Sequence, residues 1–364
     1  MVSLSKLFGM QNVFLESHNI KNLNFGFGQF NYHLIKALSR IETPDYKITL
    51  HGKDTAWLRK EYGDAFNYKK SYSLRRYPLF RIRKKYDLWH SLNQNIKIEP
   101  FSNIPYLLTV HNITHIKDPQ NYLHEKVHQR FQQKLKRSTA IAYISEYAKS
   151  STHQFFEVPK VPEYVIYNGN PMTDILIPQG FQPPFKPTKP YLFSIGQITG
   201  RKNFISVVRM MVHLKDHQLV IAGKNSTSTA EEILSEAKKL NVHDRVFLIG
   251  NVSGDAKKYY FQHCDAFVFP SLREGFGLPV IEAMRFGKPV FTSNNTSLPE
   301  VGGDLAYYWD HFDPKYMANV FENGMHHFSK DAGMLQKKMI TRAQSFSWDN
   351  AAKAYDEVYN SILK

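Results

Sequence analysis

The stretch Phe267–Met284, FVFPSLREGFGLPVIEAM, admits few local structures. The apolar run Ala266–Phe269 is short and β-prone, and Pro270 and Ser271 end it. Gly275 and Gly277 permit backbone turns that a Cβ would forbid. Pro279 suits the first position of a helix, and Val280, Ile281, Ala283 and Met284 supply its apolar face. A helix that opens on a glycine-rich loop offers N–H groups and a positive dipole end to an anion, most often a phosphate. Two carboxylates frame the loop, Glu274 within it and Glu282 in the expected first turn. Like charges keep both from a phosphate, so their use is to accept hydrogen bonds from the hydroxyls that flank one. A ligand with a polyol, a diphosphate and a ribose meets all three features, which is the shape of a nucleotide sugar. The plainer alternative makes Glu274 a solvated loop residue and Glu282 a favourable charge near a helix start.

The string Glu274–Gly275–Phe276–Gly277–Leu278–Pro279, with Glu282 eight positions after Glu274, resembles the EGFGLP…E signature of the GT-B glycosyltransferases of retaining family 4. A second run agrees with it. Gly196-Gln-Ile-Thr-Gly-Arg-Lys-Asn203 is similar to that family's G-x-L-x-x-R-K-N loop, found in many mannosyl- and related hexosyltransferases. Gln197 departs from the arginine that many members carry there. Arg201 and Lys202 then supply the cations that hold a leaving diphosphate. The resemblance implies two Rossmann-like doubly wound α/β domains with an interdomain cleft, and transfer of a hexose with retention at the anomeric carbon.

The pattern along the chain is compatible with that architecture. Strands are expected at residues 11–16, 47–50, 87–91, 106–110, 139–144 and 164–167, with helical patterns between several of them, including 123–135 and 146–156. A second series falls at 191–195, 218–222, 245–249, 265–269 and 289–292. Five prolines within Pro178–Pro190 read as a stiff linker. The expected division is therefore a first domain at 1–180 and a second at 187–346. An amphipathic tail helix follows at 347–364, Ser347 serving as N-cap, and the resemblance packs it back on the first domain.

Further site residues follow from the same resemblance. Gly26 and Gly28, after the first strand, correspond to a glycine loop near the donor phosphate. His111, just past the strand 106–110, corresponds to a histidine that touches the donor sugar. Gly250 and Asn251 meet the nucleobase through backbone, so the base is poorly encoded. Glu274, His111 and Lys202 are the expected catalytic set. Donor-binding positions are Gly26, Gly28, Gly196, Arg201, Lys202, Gly250, Asn251, Gly275, Phe276, Gly277, Leu278 and Glu282. His90 and Ser145, also at strand ends, are further candidates.

No D-x-D occurs in the chain, so a metal-independent reaction with no cofactor is expected. His111 and His115 lie four apart, but on a strand end and loop rather than a helix, which discounts zinc. The lone Cys264 excludes an intrachain disulfide and fits a reducing cytoplasm. No run approaches the roughly 18–20 apolar residues of a membrane span.

Charge divides unevenly. The net charge is +15; residues 1–186 hold 26 Lys and Arg against 14 Asp and Glu. Much of the excess lies in Lys69, Lys70, Arg75, Arg76, Arg81, Arg83, Lys84 and Lys85, with no acid between Asp64 and Asp87. Aromatic and aliphatic residues are interleaved with these cations. The favoured partner is an anionic membrane surface, which makes the protein peripheral at the inner leaflet; a solvated mobile loop and a nucleic-acid surface are the alternatives. The expected substrates are GDP-mannose or a UDP-sugar and a glycan or lipid-linked acceptor, with no nucleic acid. A sugar-nucleotide epimerase is the competing enzyme.

Overall fold

The computed structural model describes residues 10–18, 20, 21, 23, 26–113, 116 and 124–364. His115, and Leu123 at the start of one expected helix, lie outside the described residues. The chain divides into two compact units, Met1–Pro171 with Ser347–Lys364, and Met172–Phe346.

The first unit is built on strands β1 (Gln11–Glu16), β2 (Tyr46–Gly52), β3 (Asn67–Lys70), β4 (Leu88–Ser91), β5 (Tyr106–Val110), β6 (Ala140–Tyr143) and β7 (Glu163–Val165). They form one parallel sheet in the order β3-β2-β1-β4-β5-β6-β7. Its helices are α1 (Gly26–Leu38), α2 (Thr55–Tyr62), α3 (Lys126–Arg137) and α4 (Glu146–Phe155). The central strands are apolar on both faces, as a parallel sheet covered by helices requires: Val13, Phe14, Leu15, Leu88, Trp89 and Leu107 have no exposed surface.

The second unit repeats the design with β8 (Tyr191–Ile195), β9 (Gln218–Ala222), β10 (Val246–Leu248), β11 (Ala266–Phe269), β12 (Val290–Ser293) and β13 (Ala306–Trp309). All neighbours are parallel, in the order β10-β9-β8-β11-β12-β13. Its helices are α5 (Phe204–Met210), α6 (Ser228–Lys239), α7 (Gly254–His263), α8 (Leu278–Arg285), α9 (Leu298–Gly302), α10 (Pro314–Lys330) and α11 (Ala332–Ser345). One face of the sheet buries Leu192, Leu219, Ile221, Val268 and Phe291 with Val207, Ile233 and Phe321 from α5, α6 and α10.

The last helix, α12 (Trp348–Leu363), belongs to the first unit. Ser347 caps it, its Oγ accepting the Asn350 N–H at 3.3 Å. The helix supplies Tyr355 and Tyr359 to a buried polar thread. His90 Nδ1 bonds the Tyr359 hydroxyl at 2.7 Å, His90 Nε2 bonds Thr109 Oγ1 at 2.8 Å, and Thr109 bonds the Tyr355 hydroxyl at 3.0 Å. Burial pushes His90 down to about 3, so the ring is a neutral core histidine and not a strand-end ligand. Ser145 likewise serves α4 as N-cap, its Oγ accepting the Ala148 N–H at 3.0 Å.

The boundary between units falls earlier than the prolines suggest. Residues from Met172 onward are tied to the second unit: Lys258 bonds Asp174 Oδ2 at 3.0 Å and the Leu176 carbonyl at 2.9 Å, and the Phe185 N–H donates to the Tyr260 hydroxyl at 3.1 Å. These contacts hold the chain before and within the proline-rich stretch, so it is not a free linker. Two edge strands, β3 and β13, are absent from the sequence reading. Each is four residues long, and β3 carries the paired lysines that protect an open edge.

Gly169 marks where α12 joins the first unit. A Cβ there would lie 2.1 Å from the Trp348 backbone nitrogen. Gly169→Ala should therefore cost about 1–3 kcal/mol through overpacking, read as a lower urea midpoint with an unchanged m value.

Candidate functional site

In the second unit β8 pairs with β9 on one side and β11 on the other, so the chain reverses its direction of travel across the sheet at β8. The loops that leave the C-terminal ends of β8 and β11 flank a topological switch point, the usual ligand position of an open parallel sheet. They are residues 196–203 and 270–277, the two runs that the sequence singles out.

Gly196, Gly223 and Gly250 follow the ends of β8, β9 and β10. Their backbones connect in series: the Gly196 N–H donates to the Ala222 carbonyl at 3.0 Å and the Gly223 N–H to the Gly250 carbonyl at 2.8 Å. A Cβ on Gly223 would sit 1.8 Å from the Gly196 oxygen, so only glycine fits this floor. Gly223 was not among the expected residues, although its place directly after the apolar run of β9 is the same signal that marks Gly196. Asn251 is exposed beside Gly250.

Above the floor, Glu274 gathers the two expected cations. Its Oε1 accepts Lys202 Nζ at 2.6 Å, Arg201 Nη1 at 3.0 Å and Ser271 Oγ at 2.6 Å. Arg201 Nη1 also reaches the Arg273 carbonyl at 2.5 Å, and the Leu272 N–H returns to the Arg201 carbonyl at 2.9 Å. The β8 and β11 loops are thus laced together by charge and backbone. Lys202 is only 7% exposed, and its ammonium stands 4.6 Å over the Phe269 ring. Burial pushes the Glu274 carboxyl upward, but Lys202 and Arg201 outweigh it and hold the group below its ordinary value. Burial draws the Lys202 ammonium below its usual value against the pull of Glu274.

The β12–α9 loop supports the same carboxylate from behind. The Glu274 N–H donates to Thr296 Oγ1 at 3.0 Å, and Ser297 Oγ donates to the carbonyls of Glu274 and Phe276 at 3.1 and 2.8 Å. Thr296 holds a φ of +57°, a strained setting for a β-branched residue. Neither residue was found from sequence, because nothing in a short Asn-Asn-Thr-Ser run says which loop it will meet.

Gly277 takes a φ of +112° and caps α8. The helix starts at Leu278, so Pro279 is its second residue and Glu282 its fifth, one residue further in than expected. Phe276 turns inward, 5.6 Å from the Phe346 ring, and contributes packing. Glu282 is 2% exposed, and its Oε1 accepts Lys257 Nζ from α7 at 2.6 Å. Its Oε2 is buried with no hydrogen-bond partner. Lys257 was missed by sequence reasoning, since its pairing depends on how α7 packs beside α8.

Residues 179–346 match the model of a family described as Glycosyl transferases group 1, and both loops lie inside that span. This segment is a glycosyl transferases group 1 domain. Over 182 residues the chain is 31% identical to the serotype-specific mannosyltransferase WbdA of Escherichia coli, which takes in 48% of this chain and 22% of WbdA. The chain thus spans about a fifth of that relative's length. Over 343 residues it is 24% identical to the O-antigen chain mannosyltransferase B of Escherichia coli, 87% of this chain and 85% of that one. Sucrose-phosphate synthase of Thermosynechococcus elongatus superposes with a TM-score of 0.73 over 97% of this chain and 99% of its own, at 17% identity. The two doubly wound units have the GT-B fold.

Outside the glycosyl transferases group 1 domain, the first unit treats its expected residues unevenly. Gly26 and Gly28 do not form a glycine turn; both are helical, Gly26 opening α1 and Gly28 buried within it. His111 is 4% exposed, its Nε2 donating to the Leu92 carbonyl at 2.8 Å and its ring set edge-on to Phe27 and Phe30. Burial lowers it to about 4. A neutral ring with Nε2 protonated leaves Nδ1 an acceptor, so His111 can receive a hydroxyl proton but is no general acid at neutral pH.

In the basic stretch, Lys69 and Lys70 lie on β3, and the chain then makes two 3₁₀ turns, Ser73–Arg76 and Pro78–Phe80. Arg75 is drawn off to His51, Nη1 to Nε2 at 3.1 Å, and His51 Nδ1 bonds the buried Glu16 at 3.2 Å. Ile82 is buried. Its other interleaved apolar residues, Tyr72, Leu74, Tyr77, Leu79 and Phe80, are exposed.

Among the described residues no three His, Cys, Asp or Glu side chains converge as a metal site requires. The charge cluster on Glu274 sets a pH dependence. A carboxyl held below its ordinary value of 4.5 contributes stability that is complete above that pH and lost as pH falls through the folded value. Glu274→Gln strands Lys202 and should cost on the order of 3 kcal/mol at neutral pH. Urea titrations across pH should show the gap to wild type shrinking below pH 4.5.

Proposed function

We propose that the protein is a retaining hexosyltransferase that moves a hexose, mannose in this reading, from a nucleotide-diphosphate sugar to a glycan or lipid-linked acceptor in surface-polysaccharide synthesis. The observation that carries this is the cluster at the switch point: two cations on one carboxylate, beside a glycine-capped helix and a second carboxylate with an unpartnered oxygen. The relatives' names, O-antigen chain mannosyltransferase B among them, support the substrate class.

The arrangement acts by exchange. Arg201 and Lys202 together outweigh Glu274 by one charge, which draws a diphosphate to them. The diphosphate takes over the two cations and frees Glu274 Oε1 to accept hydrogen bonds from sugar hydroxyls. Glu274 then steadies the positive charge that grows at the anomeric carbon, while Arg201, Lys202 and the α8 end steady the leaving diphosphate. Glu282 Oε2 takes a ribose hydroxyl as the donor that it lacks. The acceptor hydroxyl attacks on the face that the leaving group vacates, and the departing phosphate oxygen takes its proton. Two cations and a helix end supply the neutralising charge, so the reaction is metal-independent. GDP-mannose is the preferred donor, with a UDP-sugar as the alternative.

The basic stretch acts as a docking surface for an anionic leaflet and makes the protein peripheral. Tyr72, Leu74, Leu79 and Phe80 are at least half exposed and stand among Lys70, Arg76, Arg83 and Lys84. Apolar side chains that insert and cations that stay at the headgroups make the usual pairing for such surfaces.

Thermal shift against UDP, GDP and their sugar conjugates, with and without EDTA, tests the donor site. The right nucleotide at 100 times its Kd should stabilise by about 2.7 kcal/mol, and EDTA should not remove the effect. Glu274→Gln should lower transfer about 100-fold or more while the nucleotide shift persists; full transfer in that variant overturns the mechanism. The triple charge reversal Arg83→Glu, Lys84→Glu, Lys85→Glu should release the protein from phosphatidylglycerol vesicles. Retention equal to wild type would return the stretch to solvent.

A further inference from the structure

Six cations, Arg76, Arg81, Lys97, Arg130, Lys134 and Arg137, line one cavity of about 570 Å³ in the first unit. Among the described residues Glu99 is the one acid in the wall. It is already engaged: Oε1 takes Lys134 Nζ at 3.1 Å and the Tyr106 hydroxyl at 3.3 Å, and Oε2 takes Arg137 Nη1 at 3.0 Å. Among the described residues Arg76, Arg81, Lys97 and Arg130 have no carboxylate partner, and Arg81 Nε is buried without any acceptor. The described wall residues thus hold five more positive charges than negative ones. Such crowding costs stability in the empty protein, and a bound anion would relieve it.

The lining decides which anion. Guanidinium forks pair with two oxygens of one phosphate. Among the described residues Tyr77 is the only aromatic one in the wall, and they form no apolar slot for a base. The volume exceeds what one phosphate needs and falls within the range of roughly 300–1,000 Å³ common to small-molecule sites. Position adds a second constraint. The Arg137 guanidinium lies 4.7 Å over Tyr106, the first residue of β5, whereas His111 follows the last. At ~3.3 Å per residue the two are roughly 16 Å apart along the strand. Lys134 Nζ meets Ser91 Oγ, on the last residue of β4, at 3.1 Å, so the cavity extends from beside Tyr106 to that strand end. Arg76 ends the first of the 3₁₀ turns that expose Leu74, Leu79 and Phe80, and Tyr77 and Arg81 flank the second. A chain attached to the bound anion would meet those apolar side chains.

We infer that this cavity binds the diphosphate head group of an amphiphile. The inference deepens the acceptor side of the proposed function, but it stands on the cavity and can fail alone.

Titration with inorganic diphosphate at physiological salt tests it, in wild type and in two double variants. Arg201→Gln with Lys202→Gln removes the donor-site cations; Arg81→Gln with Arg130→Gln removes two from the cavity and leaves the Glu99 pairs intact. The first variant should still bind diphosphate, and the second should lose about tenfold or more in affinity at this site. Phosphatidylcholine vesicles carrying a polyprenyl diphosphate should retain wild type better than phosphatidylglycerol vesicles of equal charge. That preference should vanish with Arg81→Gln and Arg130→Gln. Diphosphate binding that is unchanged in the cavity variant and absent from the donor variant would overturn the site. Diphosphate binding without any vesicle preference would overturn the amphiphile as its source. A nucleotide shift lost in the donor variant alone concerns the transfer proposal and leaves the cavity untouched.

Discussion

The ion cluster on Glu274 holds the second unit's working edge together. A carboxylate whose side chain is nearly buried would be costly alone, and the buried Lys202 ammonium would be costlier still. Each makes the other tolerable, and Arg201 and Ser271 complete the coordination. Because Lys202 and Arg201 follow β8 while Glu274 and Ser271 follow β11, the pair also sets how two adjacent strand ends are spaced. The glycine floor beneath depends on the same spacing, since Gly223 can approach the Gly196 carbonyl only where side chains are missing.

The first unit manages its charges in another way. Its central strands end in buried polar groups that are satisfied one by one: His90 by Tyr359 and Thr109, Glu16 by His18 and His51, Lys134 by Glu99 and Ser91. Burial raises the Glu16 carboxyl, yet the two histidines hold it down at about 2. Four cations that lack such partners, Arg76, Arg81, Lys97 and Arg130, line the cavity. This separates cations used for folding, such as Arg75, from those left for a ligand.

Much of the architecture was legible because parallel sheets write themselves as short apolar runs. Strands β1, β5, β8 and β9 coincide with the runs read for them, and α12 with its capped amphipathic pattern. Where periodicity is weak the structure differs. Edge strand β3 hides in a lysine-rich segment. Gly26 and Gly28, which suggest a turn, are carried in α1 because Phe30, Leu34 and Leu38 on its buried face outweigh the local cost of glycine. The prolines mark stiff chain, but contacts from Lys258 and Tyr260 decide on which side of the division that chain falls.

The sequence by itself determined the doubly wound class, the two loops that bear Glu274, Arg201 and Lys202, and a helix start beside Pro279. Each of these is written in local chemistry: a strand run, a glycine, a proline, a charge at a fixed offset. Only tertiary structure decided that Lys257 would meet Glu282, that Thr296 and Ser297 would hold the Glu274 loop, and that Lys97 and Arg130 would join Arg81 around one cavity. Those partners come from separate elements, and their meeting depends on strand order and helix packing. A side chain's partner across the sheet is a property of that packing, and no spacing along the chain records it.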